Sequence, residues 1–164
     1  MIRYYTGVGS RNTPQTTLHL MENISSYFNK RKYILRSGGA QGADKAFELG
    51  AGYLKEIYYA SDANEEAEKI AKKFHPKWNI LSEYAKKLHA RNAFQVLGKD
   101  LNHPSEFVIC WTADGCESHK ERSIKTGGTG TAISIADKYN VKIINLYHQY
   151  NVDFFINMLE KTKD

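Results

Sequence analysis

A chain of 164 residues, 41% hydrophobic and 25% charged, is sized and composed for one globular domain over residues 1–164, and it holds no apolar run near the roughly 20 residues that span a bilayer, which excludes a membrane-spanning protein. Cys110 and Cys116 are too few for a disulfide framework, and no Cys/His cluster has metal-ligand spacing, so no metal is expected. The modest net charge of +5 fits a nucleotide, a nucleic acid or no partner equally well, and the opening MIRYYTGVG lacks a basic segment followed by an apolar core, which makes the cytoplasm the expected location.

Short β-branched or aromatic runs alternate with helical patterns along the chain. A first strand at about 2–6 (IRYYT) leads into the glycine turn TGVGSRNTP (6–14), where Ser10 and Arg11 are suited to a phosphate or a sugar hydroxyl. Pro14 fits the first turn of a helix that runs to about Asn29. A second strand (33–37, YILRS) enters the turn SGGAQGAD (37–44), and the next helix starts near Ala43. Asp44 opens it, where a carboxylate can steady the helix start, hold a ribose or orient Arg11.

After a third strand at about 55–60, Pro76 divides residues 63–98 into two helices, the second over about 80–97. There Leu81, Ala85 and Leu88 mark a buried face, and continuing it reaches Arg91, Asn92 and Gln95. Either the helix end emerges into solvent or it borders a ligand, with Arg91 offering forked recognition of an anion. A fourth strand at 106–111 (EFVICW) ends on Trp111 and Thr112, the tryptophan placed to pack on a helix or to stack a base. The long segment 112–128 precedes the third glycine turn TGGTGTA (126–132), a helix at about 129–139, a strand at 141–146 and a helix at 152–161.

Five parallel strands with helices on both faces define an α/β, doubly wound, Rossmann-like sheet in the order 3-2-1-4-5, whose ligand crevice lies at the carboxyl ends of strands 1 and 4. All three glycine turns precede a helix, where unpaired N–H groups and the helix dipole favour an anion. None matches GxGxxG or GxxxxGK[ST], so a mononucleotide fits better than a dinucleotide cofactor or a P-loop triphosphate, and no cofactor is expected.

The segments TGVGSR, SGGAQGAD, HARNAFQVLG, CWTADG and TGGTGTAI resemble the SLOG superfamily, the Rossmann-like group of the DNA-processing protein A family and the "lonely guy" phosphoribohydrolases. The likeness is nearest to small stand-alone DprA-like members often found in bacteriophage genomes; it implies nucleotide binding, a homodimer or higher homo-oligomer and, for a phage-encoded member, the host cytoplasm. The phosphoribohydrolases carry PGGxGTxxE, with glycines and threonines on the phosphate and a catalytic glutamate, and an arginine in an RNxxM-like helix. This chain keeps Gly127, Gly128, Gly130, Thr131 and Arg91, but places Thr126 for the proline, Ser134 for the glutamate and Gln95 for the methionine. The expected ligand site is therefore Gly9, Ser10, Arg11, Ser37, Gly38, Gly39, Asp44, Arg91, Asn92, Gln95, Trp111, Thr112, Gly127, Gly128, Thr129, Gly130 and Thr131, with Arg91 and Asp44 as catalytic candidates. The first expectation is a nucleotide-binding protein. Its alternatives are a nucleoside 5′-monophosphate N-glycosidase, if Asp44, Asp114 or Glu121 replaces the missing glutamate, and a single-stranded-DNA-binding recombination accessory.

Overall fold

Five strands, β1 (Arg3–Gly7), β2 (Tyr33–Ser37), β3 (Lys55–Ile57), β4 (Phe107–Cys110) and β5 (Lys142–Asn145), pair in parallel in the order β3-β2-β1-β4-β5 in the computed structural model, which describes residues 1–163. Six helices flank them: α1 (Gln15–Lys30), α2 (Ala43–Ala51), α3 (Glu65–Lys72), α4 (Glu83–Leu97), α5 (Thr129–Lys138) and α6 (Gln149–Glu160). Side chains alternate across each strand, so neighbours on β4 feed opposite cores. Val108 and Cys110 join Phe94 and Leu97 of α4 and Ile133 of α5 on one face; Ile109 joins Met21 and Ile24 of α1, Phe47 of α2 and Phe155 of α6 on the other. The sheet is Rossmann-like and its chain order reverses between β1 and β4, the place where such sheets take ligands. No described helix is long and apolar enough to cross a membrane.

Several expected boundaries move, each for a local reason. β3 stops at Ile57 instead of 60 because the Tyr58 N–H, the last to reach β2, donates to the Ser37 carbonyl at 2.9 Å before the chain bends into a single turn at Ala60–Asp62. α4 starts at Glu83 rather than 80, since Ser82 caps it by accepting from the Ala85 N–H at 3.1 Å. α6 starts at Gln149, three residues early, because the His148 carbonyl already accepts from the Asn151 and Val152 amides. The burial of α4 also runs opposite to the stripe expected from its first half. Leu81, Ala85 and Leu88 are only half-buried, whereas every residue from Asn92 to Leu97 is buried, so the helix dives into the core as it ends instead of emerging into solvent.

The helix starts divide into two kinds. α3 and α4 are capped by their own polar side chains, Asn64 and Ser82. α2 and α5 start from Gly42 and Gly128 with no side-chain cap, and both open at the carboxyl edge of the sheet. Their first-turn amides must be satisfied some other way.

Candidate functional site

A cavity of about 610 Å³ lies at this edge, in the range of about 300–1,000 Å³ common for small-molecule sites. It is lined from the first glycine turn by Gly9, Ser10 and Arg11, from the second by Ala40 and Asp44, from α4 by Leu88, His89, Arg91, Asn92 and Gln95, and from the third by Thr126, Gly127, Gly128 and Thr129. Arg11, Arg91 and Lys125 bring positive charge to it, and among the described residues Asp44 is its only carboxylate.

The first turn is fastened to the sheet through its own backbone. Ser10 donates its N–H to the Trp111 carbonyl at 3.2 Å and accepts from the Asn12 N–H on its hydroxyl at 2.9 Å. Arg11 stays exposed, and it does not meet Asp44.

The second turn is filled by the protein itself. Asp44 is 4% exposed, and its carboxylate accepts from the Ala40 N–H at 3.3 Å and from the Gly9 and Gly38 amides. Burial pushes its carboxyl up to about 6, against the opposing pull of Arg91 and of those amides. Arg91 reaches across from α4 and donates Nη1 to the Gly38 carbonyl at 2.9 Å. Gly38 has no room for a side chain: a Cβ there would collide with the Gln95 carboxamide, and would come within 2.9 Å of Asp44 Oδ2 and 3.2 Å of Arg91 Cζ. The Ala43 amide at the start of α2 donates to the Ser10 carbonyl. An anion-binding nest exists here, and an internal carboxylate occupies it.

The third turn is open. Among the described residues no acceptor lies within hydrogen-bonding reach of the Gly128 and Thr129 amides, and a Cβ on Gly127 or Gly128 would meet nothing within 4 Å. Gly127 takes φ +66°, a left-handed turn that glycine adopts at little cost. The segment before it is held by Asp114, which accepts from the hydroxyls of Thr112, Ser123 and Thr126 and from the Cys116 N–H. Burial works against that carboxyl's charge, but the donated hydrogen bonds prevail and hold it below the ordinary carboxylate range. Asn145 adds a second tie, donating to Thr112 Oγ1 at 2.7 Å and to the Cys116 carbonyl at 2.9 Å. The loop is thus a fixed scaffold that presents free amides.

On α4 the face Leu88–Arg91–Asn92–Gln95 meets the cavity, with steps of three and four residues. Gln95 is 1% exposed, and neither its Oε1 nor the Arg91 Nε has a hydrogen-bond partner in the protein. His89 sits beside them, bonded through Nδ1 to the Thr131 hydroxyl at 2.9 Å. Burial, then the charges of His75, Arg122 and Arg91, lower its pKa to about 4, so it is neutral near pH 7.

Of the residues expected from sequence, Gly9, Ser10, Arg11, Asp44, Arg91, Asn92, Gln95, Gly127, Gly128 and Thr129 line this one cavity. The others lie around it. Ser37 spends its hydroxyl on the Gly7 carbonyl at 2.6 Å, Gly38 forms the wall behind Asp44, and Gly39 lies against Ile57 and Tyr59. Trp111 packs with the α1–α2–α6 core, away from the cavity, and Thr112 is buried among Asp114, Cys116 and Asn145. Gly130 lies against the Arg122 guanidinium, and Thr131 is buried on His89. Ser134, which stands where the phosphoribohydrolases carry glutamate, bonds His119 at 2.7 Å and Arg122 at 3.1 Å. Glu121 is exposed and accepts from the Glu117 amide.

Sequence reasoning missed His89 and Asn12, both of which line the cavity; Ile124 and Lys125 line it as well. His89 stands three residues before Asn92 on the same helix, and that spacing was its only signal. A second cleft of about 690 Å³ between α1 and α6 is lined by Leu20, Tyr27, Ile156 and Leu159 with scattered charges, and among the described residues no buried unpaired polar group faces it. No family model, curated protein or solved structure matches this chain.

Proposed function

We propose that the protein binds a nucleotide or a nucleotide-derived small molecule in the cavity at the β1–β4 crossover, with the anionic end of the ligand on the third glycine turn. The observation that carries this reading is the pair of free amides at Gly128 and Thr129, at the start of α5 and facing open space in a cavity that also holds Arg11, Arg91 and Lys125. The likeness of TGGTGTAI to the phosphate motif of SLOG proteins points the same way. Mass spectrometry of small molecules released from the purified protein, followed by calorimetric titration of what is found, tests it. A phosphorylated nucleoside is expected, and a protein that carries none and binds none of the common nucleotides contradicts the reading.

A second reading has its own support. Among the described residues Asp44 is the one carboxylate in the cavity, and with a pKa raised to about 6 it can exchange a proton near neutrality. N-glycosidic cleavage develops positive charge on the sugar, which a carboxylate at this position can stabilise. Incubation with nucleoside 5′-monophosphates and chromatography for free base tests it: release by the wild type and none by Asp44→Asn is the expected pattern, and no release by the wild type leaves binding alone.

A further inference from the structure

The floor of the cavity differs chemically from its mouth. At the mouth are free N–H groups and cations, a setting for an anion. At the floor, Asp44 already supplies negative charge, and two buried polar atoms, Gln95 Oε1 and Arg91 Nε, lack partners. A buried unpaired polar atom is costly, and here the cost is borne by two atoms on one face of α4.

Three kinds of ligand group can be weighed against this floor. A phosphate would bring negative charge onto the Asp44 carboxylate, which has no room to retreat because the Gly9, Gly38 and Ala40 amides hold it. An apolar group would leave Gln95 Oε1 without a donor and Arg91 Nε without an acceptor. A hydroxyl donates and accepts at once, and two adjacent hydroxyls can answer both atoms together.

Building on the nucleotide reading above, we propose that Asp44, Arg91 and Gln95 form a sugar subsite that reads the vicinal hydroxyls of a ribose, so that the ligand is a ribonucleotide and Gln95 is the residue that tells it from the deoxy form. The phosphate then lies on Gly128 and Thr129. The apolar and aromatic lining by Leu88, His89 and Ile124 is left for the base.

The test is calorimetric titration of the wild type with the 5′-mono- and diphosphates of the four common ribonucleosides and of their 2′-deoxy and 3′-deoxy counterparts. For any base that binds, removal of one hydroxyl is expected to weaken binding about tenfold to a hundredfold, since it leaves a buried polar group unpaired again. In Gln95→Met, close in volume but without the carboxamide, the ribo form should weaken and its advantage over the 2′-deoxy form should fall to about twofold. Equal affinity of the wild type for ribo and deoxy forms overturns the sugar subsite and leaves nucleotide binding standing. An unchanged preference in Gln95→Met overturns the role of Gln95. Absence of binding by every nucleotide overturns the subsite together with the reading beneath it. If Gln95→Met fails to fold, the wild-type comparison decides the matter alone.

Discussion

The second and third glycine turns look alike in sequence, SGGAQGAD and TGGTGTAI, and both begin a helix at the same edge of the sheet. They do opposite work. The second is closed: Asp44 gathers the Gly9, Gly38 and Ala40 amides, Arg91 braces the Gly38 carbonyl, and α2 is held to the first turn through Ser10. The third is open, its Gly128 and Thr129 amides free and its glycines facing space. A glycine turn before a helix presents backbone amides in both places, and in the second they face a carboxylate of the chain itself. The two turns differ in one residue above all, the acid at 44 against Ile133 at the matching place in the other turn.

That difference can be broken most severely at Asp44. Asp44→Ala leaves three amides and the Arg91 charge without their partner, and urea denaturation should show a loss of about 3 kcal/mol. An effect below about 1 kcal/mol would mean that the second turn does not need its internal anion.

The same carboxylate gives a pH signature. Its folded pKa, raised to about 6 from 3.8, lies above the unfolded one, so the neutral form stabilises the fold at low pH and that contribution is lost as pH rises through about 6. Asp44→Asn should remove it, so the wild type falls relative to the variant by about 2 kcal/mol between pH 4 and 7 in paired thermal melts. A constant difference across that range would place the carboxyl at its ordinary value.

Alanine at the two turns sharpens the comparison further. Gly38→Ala drives a methyl into Gln95, Asp44 and Arg91 and should cost about 1–3 kcal/mol, while Gly128→Ala, at φ −63° in open space, should change stability by less than about 1 kcal/mol. Gly128→Asp should fold equally well and, on the proposed reading, bind nucleotide at least about tenfold more weakly, because a carboxylate then stands beside the free amides of Gly128 and Thr129.

The sheet order and the crossover that positions the cavity were legible in the sequence, because strand alternation and right-handed connections leave few arrangements. The cavity-facing side of α4 was legible too, as the continuation from Leu88 to Arg91, Asn92 and Gln95. Its setting was not: polar residues late in a helix suggest a solvent-exposed end, yet here Asn92 and Gln95 are buried because the helix runs down into the sheet, and sequence periodicity records the face of a helix but not its depth. Asp44 was visible as a helix-start acid. That it fills the second turn depends on the approach of Gly9 from the first turn, a contact between residues 35 positions apart that no local pattern encodes. Trp111 was ambiguous for a related reason, since an aromatic residue at a strand end reads alike whether it turns toward the ligand edge or, as here, toward the α1–α2–α6 core.

The most direct test of the contrast between the turns is an amide NMR titration of the ¹⁵N-labelled protein with inorganic phosphate and with 5′-nucleotides. The Gly127, Gly128 and Thr129 amides should shift most, while those of Gly38 and Ala40 stay nearly fixed on Asp44. Shifts centred on Gly38 and Ala40, with Gly128 and Thr129 unmoved, would contradict the account.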